Sequence, residues 1–194
     1  MAISDYPPSA IPWPAALDWS AEELRGYLAA AADPAIQHLP TRCPPWAVRD
    51  LTAHLAATFQ RFAGQLDKAK ADDLTAPFGP GSLSRENLRA VEFFRGDPAR
   101  ALDEQATRFL REAGRGQAGQ LMGHQRGPVP VGLQVIWGLS ELTVHHDDLA
   151  DAIGTSYRPT DSIVAALVAM KEAIDGFHVG DDPWMDYLGS TGRC

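Results

Sequence analysis

VGLQVIWGLSELTVHHDDLADAI, residues 131–153, contains no proline and no strand-like alternation, and Gly154 closes it. Stepping ~100° per residue around a helix axis sorts it into faces. One apolar flank holds Val135, Leu139, Leu142 and Leu149, and the other holds Leu133, Trp137 and Val144. Ser140, Thr143, Asp147 and Ala150 fall on a polar, solvent-like arc. Gln134, Glu141, His145 and Asp148 fall opposite that arc, between the apolar flanks, and His146 lies at the edge. The stretch therefore predicts a long helix with four polar residues at the middle of its buried face.

The rest of the chain reads as helices joined by proline and glycine loops. Residues 1–19 carry four prolines and predict an extended arm that Trp13 and Trp19 pin to the body. Ser20-Ala-Glu-Glu23 has the spacing of a capping box and opens a helix to about Ala32. After the PTRCPPW loop (40–46), Val48, Leu51, Leu55, Phe59, Phe62 and Leu66 recur at helical spacing over 47–70. Pro77, Gly79, Pro80 and Gly81 mark a loop. A third helical stretch starts at Ser84, breaks at Gly96-Asp97-Pro98 and resumes over 99–113. Five glycines in 114–130 predict a long loop of the kind that carries function. Thr160 or Asp161 caps a last helix to about Phe177, and the tail adds one turn. No segment favours a strand. The expected architecture is an all-α bundle with long crossover loops, a single domain over 20–194 behind the arm.

A carboxylate on a buried face needs a metal, a cation or good donors. Glu141 and His145 stand at i and i+4, so their side chains converge. Converging inside a bundle, they supply two of the three protein ligands of a catalytic-type metal site. His54, on the flank of the second helix's apolar face, is the candidate third. His38, His124 and His178 fall in loops or at a helix end. Asp50 lies one turn before His54 and Asp148 three residues after His145, so either can orient a ligand imidazole. The plain alternative is a metal-free bundle in which Glu141 and His145 pair with each other. Cys43, before two prolines, reads as a small buried filler rather than a reactive thiol. Cys194, at the terminus, reads as inert.

Composition excludes several classes. Lys plus Arg is 17 against 25 Asp plus Glu, a net charge of −8, which disfavours nucleic acid and anionic membranes as partners. No apolar run reaches the ~20 residues of a membrane span. The first residues lack the basic start and apolar core of a secretory signal, and two cysteines make no disulfide framework, so a cytoplasmic location is expected. P-loop, dinucleotide and nucleophile-elbow motifs are absent.

Two segments carry a family resemblance. CPPWAVRDLTAHL (43–55) resembles the C-P-G-W-T-V-R-D-L-x-x-H-L stretch of the mycothiol-dependent maleylpyruvate isomerase-like proteins, within the DinB-like superfamily. ELTVHHDDLADAIG (141–154) resembles their E-x-x-x-H-x-x-D-L-A-x-A-x-G, and Thr191-Gly-Arg193 resembles a TGR after the last helix. The resemblance implies a DinB-like four-helix bundle holding a divalent metal on His54, Glu141 and His145. Zinc is the usual ion, with nickel or iron as alternatives. It further implies a low-molecular-weight thiol, mycothiol, as cosubstrate, and isomerisation of, or S-transfer to, a small electrophilic or unsaturated acid. Pro45 replaces the pattern's glycine and His146 stands where arginine is common. The isomerase itself carries a further C-terminal domain with a catalytic arginine, for which these 194 residues leave no room. A metal-stabilised binding or regulatory bundle without chemistry is the alternative. Within this chain Arg126 and Arg49 are the candidates to attract carboxylates, and a homodimer is compatible with an aromatic-bearing arm.

Overall fold

Long helices with one apolar face dictate the architecture seen in a computed structural model of the chain, which describes residues 3–79, 83–94 and 96–192. Pro80, Gly81, Arg193 and Cys194, singled out above, lie outside the described residues. In chain order the helices are α1 (Ala15–Ala30), α2 (Val48–Ala69), α3 (Leu83–Phe94), α4 (Pro98–Gly114), α5 (Val131–Ala152), α6 (Asp161–Asp175) and α7 (Pro183–Ser190). α1, α2, α4 and α5 make a four-helix bundle. α3 lies along α2, and α6 and α7 pack on each other beside α5.

The periodic apolar residues of α2 are the core. Leu51, Leu55, Phe59, Phe62 and Leu66 are all buried. Burying one such side chain stabilises the fold by about 1.5–3 kcal/mol. Phe59, Phe62 and Phe109 of α4 form a ring cluster with centroids 5.6–6.0 Å apart. Gly138 lets α5 approach this cluster, because a Cβ there would stand 3.1 Å from the Phe59 ring. That approach sets the α2–α5 spacing one turn from Glu141 on one helix and close to one turn from His54 on the other.

Several expectations are corrected. α1 begins at Ala15, not Ser20: the chain turns into helix directly after Pro14, with the Ala16 N–H donating to Pro12 O at 2.8 Å. Ser20 is thus inside the helix and caps nothing. It is fully buried and donates to the Ala16 carbonyl at 2.7 Å, the bond a mid-helix serine makes to its preceding turn. The arm is shorter than 1–19, and it holds 3-10 turns at Ile3–Asp5 and Pro8–Ala10 with Tyr6 and Ile11 in the core. The 114–130 loop contains a short antiparallel pair, β1 (Leu121–Met122) and β2 (Val129–Pro130), with Met122 and Val129 buried. Strand pairs this short leave no periodic trace in a sequence. The tail forms two turns, α7, capped by Asp182, whose carboxylate accepts from the Trp184 and Met185 N–H groups.

The solvent-like arc of α5 is also covered. Thr143 is fully buried and bonds the Leu139 carbonyl at 3.0 Å, and Ser140 pairs with Tyr187 of α7 at 2.7 Å. Small hydroxylated residues satisfied locally or by one partner can be buried, so their presence does not mark a wet face.

Candidate metal centre

The buried polar row of α5 faces α2. His145 and Asp148 are buried, while Glu141 keeps 40% of its side chain exposed, and it lines a cavity of about 410 Å³. His54 Nε2 and His145 Nε2 each lie 3.5 Å from Glu141 Oε2. The two imidazoles meet edge to face at 5.2 Å. One donor atom from each of His54, Glu141 and His145 lies within 4.8 Å of the others.

Side chains behind the ligands hold them in place. His145 Nδ1 bonds Asp148 Oδ2 at 2.8 Å, so its Nε2 is turned toward Glu141. Cys43 Sγ donates to the same Asp148 oxygen at 3.2 Å. Arg42 Nε stands 3.6 Å from the other oxygen, 3.5 Å from Asp151, and the guanidinium also bonds Asp147. The 40–46 loop is thereby tied to α5. Trp46, on that loop, stacks on His54 at 4.7 Å. His54 Nδ1 is buried with no hydrogen-bond partner among the described residues. Asp50 accepts the Ala47 N–H at 3.2 Å, at the start of α2. The two candidate orienting carboxylates therefore differ: Asp148 touches a predicted ligand, and Asp50 serves the helix start.

Charge follows this geometry. Burial raises Glu141, but the two imidazoles outweigh it and hold the carboxyl well below its usual range. Burial lowers His54, and its bond to Glu141 only partly opposes that. Burial also works against the His145 cation, yet the bonds to Asp148, Cys43 and Glu141 carry its pKa to about 10. Two histidines on one glutamate differ because only one has a second carboxylate behind it.

Two donor sets converge here, sharing His145. Cys43, His145 and Asp148 form the second. That set is already satisfied: its 2.8 Å nitrogen–oxygen separation is a hydrogen bond, and the Arg42 cation stands beside the carboxylate. The His54–Glu141–His145 set faces the cavity, has two Nε2 atoms turned to one carboxylate, and among the described residues no lysine or arginine makes an ion pair with that carboxylate. Two imidazole nitrogens and a carboxylate oxygen suit zinc with a further position open. A ligand histidine backed by a carboxylate, as His145 is, is the usual support. These residues fit a divalent metal.

The cavity wall comes mainly from α2, α5 and the β1–β2 turn, with Trp46, Pro77 and Asn87 of α3 completing it. Residues 122–126 reach it from the glycine-rich loop, with His124 stacked on Trp137 at 4.7 Å. Gly123 is required there, since a Cβ would stand 2.4 Å from the Thr75 carbonyl oxygen. Arg126 is paired with Asp175 at 3.1 Å. Arg49, the other arginine considered above, is not among the lining residues. Cys43 and Arg61 were not singled out from the sequence as site residues. Cys43 lies 105 residues from Asp148 and no local spacing joins them. Arg61 shares its helical face with His54, two turns back, and that register was the available signal.

The fold and site together define a helical bundle with two histidines and a glutamate converging beside a cavity. The chain belongs to the family of the mycothiol maleylpyruvate isomerase N-terminal domain, whose model it matches over residues 17–150. Its fold resembles the crystal structure of the mycothiol-dependent maleylpyruvate isomerase, with a TM-score of 0.66, 15% identity, and coverage of 87% of this chain and 71% of that one. A histidine-to-alanine mutant of that isomerase matches at a TM-score of 0.65 and 14% identity, with the same coverage. No curated protein matched. No helix among the described residues is long and apolar enough to cross a membrane.

Proposed function

We propose that this chain is a metal-dependent, thiol-using isomerase or S-transferase acting on a small electrophilic or unsaturated acid, with mycothiol as the thiol. The observation that carries this reading is the convergence of His54 and His145 on one Glu141 oxygen, at 3.5 Å each, at the wall of a cavity. His54, Glu141 and His145 would hold the ion, most simply zinc. A zinc ion with an open position supplies a Lewis acid that makes a thiol proton easy to lose at neutral pH.

The protein's own groups do the remaining work. Asp148 fixes the His145 ring and keeps Nε2 toward Glu141. Because His145 holds a proton so strongly when metal-free, metal loading displaces one, so loading is easier at higher pH. Trp46 and the Met122–Arg126 turn bound the cavity. Its volume falls in the range that takes a small ligand. A thiolate held there can add to a double bond and leave again, giving cis–trans isomerisation, or can displace a leaving group, giving S-transfer.

The test is turnover of an unsaturated acid by the zinc-loaded protein with and without mycothiol, beside Glu141→Gln. Thiol-dependent turnover lost in Glu141→Gln supports the enzyme. A fully zinc-loaded protein that neither isomerises unsaturated acids in a thiol-dependent way nor consumes thiol with epoxide and halide electrophiles contradicts it and favours a metal-stabilised binding bundle.

A further inference from the structure

The cavity contains a cation that makes no ion pair among the described residues. Arg61 on α2 lines it together with His54 and Glu141. Its guanidinium is fixed by neutral groups, with Nη1 donating to Asn87 Oδ1 at 3.2 Å and Nη2 to Thr58 Oγ1 at 3.3 Å. It lies over the Phe62 and Phe78 rings at 5.7 and 5.4 Å. No carboxylate among the described residues makes an ion pair with it. Most other arginines that line or border the fold do have such partners: Arg42 has Asp147, Arg126 has Asp175 and Arg158 has Asp182.

A largely buried cation without a carboxylate is costly to fold around. Burial depresses Arg61, and only the more distant charge of Glu141 opposes this. Two further groups of the same cavity are unsatisfied. Gln134 Nε2 and Gln65 Oε1 are buried without hydrogen-bond partners among the described residues, and both residues line the cavity and are over nine-tenths buried. Buried polar atoms normally find partners, so an orphaned donor and acceptor beside a bare guanidinium mark the place of a polar ligand. Arg61 holds five donors in a planar fork, of which two are used, and a fork of that kind matches a carboxylate.

We infer that Arg61 is the residue that selects an anionic substrate, receiving a carboxylate of the ligand while the Gln134 and Gln65 amides bond its neighbouring polar atoms. The inference rests on this cavity being the reaction site and adds the residue that receives the acid's carboxylate. Arg61 stands two turns, ~10 Å of helix rise, beyond His54. A small acid anchored at Arg61 therefore extends toward the metal ligands, with its reacting carbons nearer His54 and Glu141. Arg61 also borders an adjoining cavity of about 370 Å³ lined by Phe78, Lys68 and Gln65, which leaves room for the bulk of a thiol cosubstrate.

The experiment compares succinate, an unreactive dicarboxylate, with its neutral diamide succinamide on the zinc-loaded protein. Ligand-observed NMR measures affinity, and zinc per chain is recorded for every variant. Arg61→Gln is expected to weaken succinate at least tenfold, leave succinamide within twofold and leave zinc unchanged. Arg61→Lys, which keeps the charge but not the fork, is expected to fall between. Succinate binding no tighter than succinamide in the parent protein overturns the inference. So does succinate binding that survives Arg61→Gln and is lost only in His145→Ala, which would place the carboxylate on the ion and leave the metal reading intact. Loss of zinc or of both ligands in Arg61→Gln and Arg61→Lys alike also overturns it, making Arg61 a structural residue. Absence of zinc in the parent protein contradicts the proposed metal function instead, and the succinate comparison on that protein still decides the role of Arg61.

Discussion

Replacing Asp148 by Asn keeps the shape of the side chain and removes its charge. Asp148 is fully buried and its carboxylate takes His145 Nδ1 at 2.8 Å and Cys43 Sγ at 3.2 Å, with Arg42 Nε at 3.6 Å. A hydrogen bond to a charged group contributes about 1.5–3 kcal/mol and a neutral one about 0.5–1.5, so the His145 bond weakens by roughly 1–1.5 kcal/mol. The amide's N–H₂ group also faces the Arg42 cation or the Cys43 thiol, so the His145 ring is held in place less firmly. Loss of a carboxylate behind a ligand histidine lowers metal affinity about 10–100-fold, or ~1.4–2.7 kcal/mol. The assay is zinc competition against a chromophoric chelator at pH 7.5, for the parent, Asp148→Asn and His145→Ala, with helicity and metal-free melting as controls. Asp148→Asn should bind zinc 10–100-fold more weakly while remaining folded, and His145→Ala more weakly still. Parental zinc affinity in folded Asp148→Asn would refute the assigned role of Asp148.

Three further outcomes are expected. Burial, aided by Arg126 and Arg61, pulls His124 down to about 4, so the unfolded chain binds the extra proton first; this part of the stability is present above pH 6.5 and is lost as pH falls toward 4. Screening at this partly exposed ring leaves about 1–2 kcal/mol, and the melting temperature of His124→Gln should fall less than the parent's across that window. Glu23 accepts from Tyr157 OH at 2.7 Å and bonds His146 Nδ1 at 3.3 Å, so Glu23→Ala should cost about 1–3 kcal/mol in urea unfolding without changing zinc content. Gly123→Ala drives a Cβ to 2.4 Å from Thr75 O and must displace the 122–126 turn; it should cost about 1–3 kcal/mol and weaken ligands in the cavity while zinc stays bound.

The helices of this protein were readable wherever the apolar period was long. α2 and α5 lie within a residue or two of their expected bounds, and of the four residues the α5 wheel puts on a buried face, Gln134, His145 and Asp148 are buried while Glu141 stays open to the cavity. The Glu141–His145 pair is local, and four residues of helix bring it together. His54 is not local, and only the family resemblance joined it to them. The misreadings have physical causes. Ser20 followed by Glu23 fits a cap, but Ser20 is equally content to bond its own preceding turn, and Pro14 had already started the helix. Thr143 and Ser140 look like surface residues, yet Thr143 is buried on bonds to its own helix and Ser140 is met by Tyr187 of α7. Cys43 was read as filler because a thiol's role depends on what it touches, and Asp148 reaches it only through the fold. Arg61 stood in plain view as one charge in an amphipathic helix. Its significance is the carboxylate it lacks, a tertiary fact.

The central claim is that His54, Glu141 and His145 hold one divalent ion. The most direct measurement is metal per chain by elemental mass spectrometry on untagged protein purified without chelator, beside His54→Ala and His145→Ala, with X-ray absorption at the metal edge. About one zinc per chain, ligated by nitrogen and oxygen and lost in both variants, is the predicted result. A metal that persists in both variants, or a parent protein that takes up none on reconstitution, would contradict it.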